Sequence, residues 1–137
     1  MNYDPELVQP MRDEVTRLGV EELRTPAEVE QALARPGTTL VFVNSVCGCA
    51  AGGARPGLRM SLMSAKKPDH MVTVFAGMET EATAKARDFF KPYRPSSPQI
   101  ALMKDGKLLK MWQRQDIEGK DPATLARSLS EAYAELC

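Results

Sequence analysis

The sequence predicts an α/β fold, a mixed sheet with helices on both faces, and three observations carry that reading. Helix-period and strand-period segments alternate from Pro5 to Phe90, the pattern of parallel strands joined by helical crossovers. Thr38–Asn44 and Met71–Ala76 are β-branched, apolar runs of the kind that fill strands buried on both faces. Two further strand-like runs flank Asp105-Gly106, a strong hairpin signal. At 137 residues the chain fits one domain, residues 1–137, with no internal repeat, low-complexity stretch or linker.

Taken in order, Asp4-Pro5 reads as an N-cap followed by a helix-initiating proline. Leu7, Val8, Met11, Val15 and Leu18 then share one helical stripe that stops at Gly19, a first helix of about 14 residues. Val20–Arg24 is a short strand candidate. Thr25-Pro26-Ala27-Glu28 is a capping box opening a helix through Leu33, which ends before Pro36-Gly37. Thr38–Asn44 follows and belongs at the centre of the sheet. Beyond it the helix must survive Gly52, Gly53, Pro56 and Gly57, so a kink is expected near Pro56, with regular helix from there to about Ser64.

After the strand Met71–Ala76 comes a helix over Thr80–Phe90, then a proline-rich connection from Lys91 to Pro98. The hairpin strands are expected at Gln99–Lys104 and Leu108–Arg114. Asp121-Pro122 repeats the opening N-cap device, and Leu125, Leu129, Tyr133 and Leu136 line one face of a closing helix. The eight methionines are expected mostly as core fillers, Trp112 as a packing residue, and the single His70 as a surface loop residue before a strand.

Charge excludes several functions. Lys plus Arg and Asp plus Glu both number 18, so the formal net charge is zero and nothing recommends nucleic acid or an anionic membrane as partner. Met1–Glu6 lacks a basic start and an apolar core, and no apolar run approaches membrane-spanning length, which points to a cytoplasmic protein. In a reducing compartment three cysteines make a poor disulfide framework, and a close pair points instead to catalysis or metal binding.

That pair is Cys47 and Cys49, in Asn44-Ser45-Val46-Cys47-Gly48-Cys49-Ala50, where the central strand ends and a helix begins. Unsatisfied N–H groups and the positive end of a helix dipole favour thiolate over thiol there, and Cys47 is the more exposed candidate for that position. Gly48 lets the backbone turn tightly enough to bring the two sulfurs together. A disulfide between them would close a small, strained and easily reduced ring, suited to exchange rather than to stapling. Buried packing cysteines, a metal site and a Gly-rich phosphate loop are the competing readings. A closed zinc site needs four ligands, and only His70 and Cys137 remain as soft partners. The segment also lacks the Lys-Ser/Thr ending of a phosphate loop.

The Cys-x-Cys turn before a kinked helix, with Ser97-Pro98 ahead of a strand and Lys104-Asp105-Gly106-Lys107 in a hairpin, resembles the thioredoxin-like fold. The longer motif Asn44–Ala50 with Ala54-Arg55-Pro56 resembles the bacilliredoxins, and the resemblance covers nearly the whole chain. It implies removal of bacillithiol from mixed disulfides with protein cysteines, with disulfide isomerase activity as a related capacity. Cys47 would be the attacking thiolate and Cys49 the second, resolving or tuning cysteine. Substrate contacts would fall at Asn44, Gly48, Ser97 and Pro98, the last matching a proline that is usually cis. Arg55 would bind thiol or, in the plainer role, cap and solvate the turn. The implied partners are bacillithiol, as thiol co-substrate, and thiol-modified proteins; no metal and no bound organic cofactor are needed, and the chain would be a monomer or weak homodimer. Two departures stand out: one residue rather than two separates the cysteines, with Val46 instead of tryptophan ahead of them, and Gly53 stands where the family motif has a polar residue. The alternatives are a protein disulfide isomerase of the same fold, a metal-binding module using Cys47, Cys49 and Cys137, or an interaction module without turnover. Cys137 is expected as a free terminal thiol, or as a distant redox partner if the last helix docks its end near the motif.

Overall fold

The computed structural model describes residues 3–137, so the first two residues of the expected 1–137 domain lie outside the described residues. The helices are α1 (Pro5–Thr16), α2 (Pro26–Leu33), α3 (Arg55–Ser61), α4 (Thr80–Asp88), α5 (Arg114–Ile117) and α6 (Pro122–Leu136). The strands are β1 (Glu21–Glu22), β2 (Thr38–Asn44), β3 (His70–Phe75), β4 (Gln99–Lys104) and β5 (Lys107–Trp112). They form one sheet in the order β1-β3-β2-β4-β5, with β2 at the centre as its composition predicts. Among the described residues no helix is long and apolar enough to cross a membrane.

The caps act as the sequence indicates. Asp4 accepts from the Glu6 N–H at 2.9 Å, Asp121 accepts from the Thr124 N–H at 2.8 Å, and Thr25 and Glu28 form the full capping box. Asp105 and Gly106 both take positive φ, 51° and 81°, the pairing a two-residue hairpin turn demands.

Alternation along the strands divides the core in two. Leu40, Phe42, Ile100 and Leu102 face α1, α3 and α6, and pack on Val15, Leu58, Leu125, Leu129 and Tyr133. Val41, Val43, Val72, Val74 and Ala101 face α2 and α4. Gly57 is what lets α3 lie close to α6, because a Cβ there would stand 2.8 Å from Leu125 Cδ2.

Four expectations are corrected. The α1 stripe is not continuous: Leu7 is 54% exposed, and the buried position between Val8 and Val15 belongs to Arg12, held by Glu22 and Glu79 and stacked on Phe75. The kink near Pro56 is instead a π-helical turn over Ala50–Ala54 running into α3. The second hairpin strand stops at Trp112, and Arg114 opens α5, which the strand reading absorbed. Of the methionines, Met103 and Met111 are buried, whereas Met60 and Met63 are exposed, so filling the core is a minority role. Trp112 does pack, 4% exposed, with its Nε1 donating to Ser128 Oγ at 2.9 Å.

Register decides what meets at each end of the sheet. Parallel pairing sets Asn44 beside Phe75, and antiparallel pairing sets Val43 beside Gln99 and Ile100 beside Trp112. The segment after β2, the segment before β4 and the segment after β5 therefore converge at one end. Cys47, Ser97 and Arg114 lie on those segments.

Candidate active site

Asn44 and Arg55 build the floor of this end. Arg55 is 3% exposed; its Nη1 donates to Asn44 Oδ1 at 3.0 Å and to the Ser45 carbonyl at 2.8 Å, and its Nε to Glu14 Oε1 at 3.2 Å. Asn44, 1% exposed, donates through Nδ2 to the Met11 carbonyl and accepts the Ser45 N–H. The expectation that Asn44 contacts substrate is thus corrected: its polar atoms are all committed within the protein, tying β2 to α1 and to the start of α3. Arg55 does cap the turn, but from inside rather than as a solvated side chain.

On this floor Ser45 receives the Cys47 N–H on its Oγ at 3.0 Å. The Ala50 and Ala51 N–H groups both reach back to the Cys47 carbonyl, at 3.0 and 3.2 Å, so a helical run starts directly after Cys47. The two sulfurs are 2.9 Å apart and both are free thiols. Both cysteines are half-buried, and Cys47 is the one packed against the core, so exposure does not set Cys47 apart. Gly48 between them is exposed.

Burial opposes ionisation of Cys47, yet the Cys49 thiol, the Ser45 hydroxyl and the N–H groups of Ala50 and Cys49 outweigh it and hold its pKa below the ordinary thiol value. Cys49 is driven the other way, by burial first and then by its hydrogen bond and charge interaction with Cys47; only Arg114 and its own N–H pull it down. One thiol is thereby prepared as a nucleophile while its neighbour stays protonated and donates to it.

Ser97 and Pro98 complete the wall facing Cys47. Their peptide bond is cis, as the motif resemblance implies, and the Ser97 carbonyl lies 3.9 Å from Cys47 Sγ. Pro98 is buried and Ser97 half-buried. On the other flank the Glu118 carboxylate sits 3.8 Å from Cys49 Sγ, and Arg114 donates to it from Nε and Nη2 at 3.2 and 3.1 Å.

Three residues of this constellation escape the sequence reading: Ser45, Arg114 and Glu118. A signal for the last two existed. Gln113 and Asp116 form a reciprocal cap at the start of α5, and Gly119 follows with positive φ.

His70 and Cys137 lie elsewhere. His70 opens β3 rather than standing in a loop before it, with Nε2 3.3 Å from the Pro36 carbonyl. Cys137 caps the C-terminal end of α6 among Thr38, Asp69, Lys66 and Lys104. β2 runs seven residues from Thr38 to Asn44, about 20 Å of extended chain, so the last helix does not dock its end near the motif. Among the described residues no three His, Cys, Asp or Glu side chains gather to hold a metal ion.

Comparison with known proteins agrees with this geometry. A family model described as "Disulphide isomerase" matches residues 3–137. The chain is 52% identical over 132 residues to a bacilliredoxin of Geobacillus kaustophilus, covering 96% of this chain and 91% of that one. It is 53% identical over 137 residues to a bacilliredoxin of Halalkalibacterium halodurans, with 99% and 95% covered. Among solved structures it is similar to mitochondrial thioredoxin 3 of Saccharomyces cerevisiae, with TM-score 0.56 at 15% identity over 86% of this chain and 96% of that one. Thioredoxin O2 of Arabidopsis thaliana gives TM-score 0.54 at 19% identity, with 85% and 96% covered. The fold is thioredoxin-like.

Proposed function

Because the chain belongs to the bacilliredoxin family, we propose that its thiol redox role is the removal of bacillithiol from mixed disulfides with protein cysteines, Cys47 acting as carrier. The observation that carries this reading is the Cys47 thiol at the start of a helical run, with the Cys49 thiol 2.9 Å from it and the Ser97 carbonyl on its other side.

The Cys47 thiolate attacks the bacillithiol sulfur of the mixed disulfide. A Cys47–bacillithiol S–S bond forms as the original S–S bond breaks, and the electron pair leaves on the protein sulfur as thiolate. Resolution then follows one of two routes. Cys49 attacks Cys47, which expels bacillithiol as thiolate and leaves a Cys47–Cys49 disulfide; or a second bacillithiol attacks the bound one, giving bacillithiol disulfide and restoring the Cys47 thiolate. The first route has a built-in trigger. Burial, the largest cause of the raised Cys49 pKa, persists, but the hydrogen bond and charge interaction with Cys47 that add to it vanish once Cys47 enters a disulfide, whereas the pull of Arg114 remains. The Ser97 carbonyl beside Cys47 offers a backbone acceptor to an extended substrate chain. No metal and no bound cofactor enter these steps. The lack of a cluster of three metal-ligating side chains among the described residues weighs against the metal-delivery alternative.

Intact mass after mixing a bacillithiolated protein with Cys49→Ser and Cys47→Ser variants tests the reading. The Cys49→Ser protein gains one bacillithiol and the Cys47→Ser protein gains none. Absence of transfer to the wild type and to both variants would remove the reading. The description of the matching family favours a second activity, protein disulfide isomerisation. Reactivation of a scrambled multi-disulfide protein without bacillithiol tests it.

A further inference from the structure

We propose that the cleft beside Cys49, between the π-helical turn and α5, binds the carboxylate-bearing part of the low-molecular-weight thiol and thereby selects anionic thiols. This deepens the function proposed above and rests on it. Bacillithiol joins cysteine to glucosamine and malate, so a site that takes its sulfur at Cys47 must also lodge a sugar and two carboxylates nearby.

The cleft has the size and the chemistry for that. Its volume is about 440 Å³, within the range of small-molecule sites, roughly 300–1,000 Å³. Gly48, Gly52 and Gly53 form one wall, and a Cβ added at Gly48 or Gly52 would meet nothing within 4 Å, so that wall stands open. The rim opposite carries Arg114 and Lys120 against one carboxylate, Glu118, an excess of one positive charge in a molecule of zero net charge. Arg114 spends Nε and Nη2 on a single Glu118 oxygen, and its Nη1 has no protein partner among the described residues. Lys120 forms no ion pair among the described residues and is exposed. A guanidinium with a free edge beside an ammonium suits a dicarboxylate. Distance fits as well, since Cys49 lines the cleft and its sulfur is 2.9 Å from that of Cys47. Glu118 acts as an internal stand-in that an incoming carboxylate displaces from Arg114.

The test compares kcat/KM for two mixed disulfides on the same carrier protein, one with bacillithiol and one with uncharged 2-mercaptoethanol. Wild type prefers the bacillithiol adduct. Arg114→Gln and Lys120→Gln each lower the ratio of the two kcat/KM values by about tenfold, chiefly through KM for the bacillithiol adduct, the worth of one charged hydrogen bond. Glu118→Gln raises the ratio, because it frees Arg114. All three residues are exposed, and the ratio cancels any general loss of active protein. A wild-type ratio near one, or variants that slow both disulfides equally, overturns the site while leaving bacillithiol removal intact. Failure of the wild type on the bacillithiol adduct overturns the function it rests on, and the site with it.

Discussion

Cys47 follows the C-terminal end of β2 and starts a helical run, whereas Cys137 lies by the N-terminal end of β2 and closes α6. Both are half-buried free thiols packed against the same core cluster. Burial pushes both pKa values up, and at Cys137 it wins, aided by Asp69 and opposed by Thr38, Lys66 and Lys104. At Cys47 it loses to four hydrogen-bond donors. A hydroxyl and two nearby lysines therefore do less for the Cys137 thiolate than a thiol, a hydroxyl and two backbone N–H groups do for that of Cys47. Two different helices contribute with opposite sign, the start of the run into α3 favouring an anion at Cys47 and the C-terminal end of α6 disfavouring one at Cys137. Exposure does not distinguish the two sites; the direction of the surrounding dipoles does.

The widest separation is in turnover. Cys47→Ser is expected to lower disulfide-exchange rates by at least about a thousandfold, since a hydroxyl is no substitute for a thiolate, while Cys137→Ser stays within about twofold of wild type. Stopped-flow exchange with a mixed disulfide checks both, and a large loss in Cys137→Ser would break the comparison. Next comes the floor. Arg55→Leu removes the donors that hold Asn44 Oδ1 and the Ser45 carbonyl, and costs about 2–3 kcal/mol of stability by urea unfolding. Ser45→Ala is milder. It deletes one of the groups that lower the Cys47 pKa, which raises the pH midpoint of Cys47 alkylation and leaves that of Cys137 unmoved.

The smallest effect lies in the core between the two sites. The Tyr133 phenol is pushed up to about 12, chiefly by burial, and is 3.0 Å from Ser61 Oγ. Its folded pKa exceeds the unfolded value of about 10, so its contribution is complete below pH 10 and is lost as pH rises towards 12. Thermal melts across that range should fall more steeply for wild type than for Tyr133→Phe.

Much of this arrangement is legible in the chain because local rules and the global fold agree. The run Thr38–Asn44 is apolar on both pleats, so it must be central; Asp105-Gly106 must turn; Asp4, Thr25 and Asp121 must cap. The Cys47-Gly48-Cys49 segment then falls at a strand end, where α/β folds place reactive groups. What escaped is set by tertiary contact. Nothing in the sequence says that α1 covers Asn44, or that a cation at position 12 lies inside, since those follow from helix packing. α5 spans only four residues, too few for a helical period to separate from the strand run before it. The π-helical turn replaced the expected kink because Pro56 cannot donate to the Gly52 carbonyl and its ring crowds that oxygen. A wider turn through the small residues Ala50–Ala54 relieves both problems.

Hydrogen bonding, and not exposure, lowers the Cys47 pKa. The most direct measurement follows alkylation of all three cysteines in one sample across pH 5–11, site by site, by peptide mass spectrometry. The Cys47 midpoint is expected below the ordinary thiol value of about 8.5 and the Cys137 midpoint above it. Coincident midpoints, or Cys137 ionising first, would contradict it.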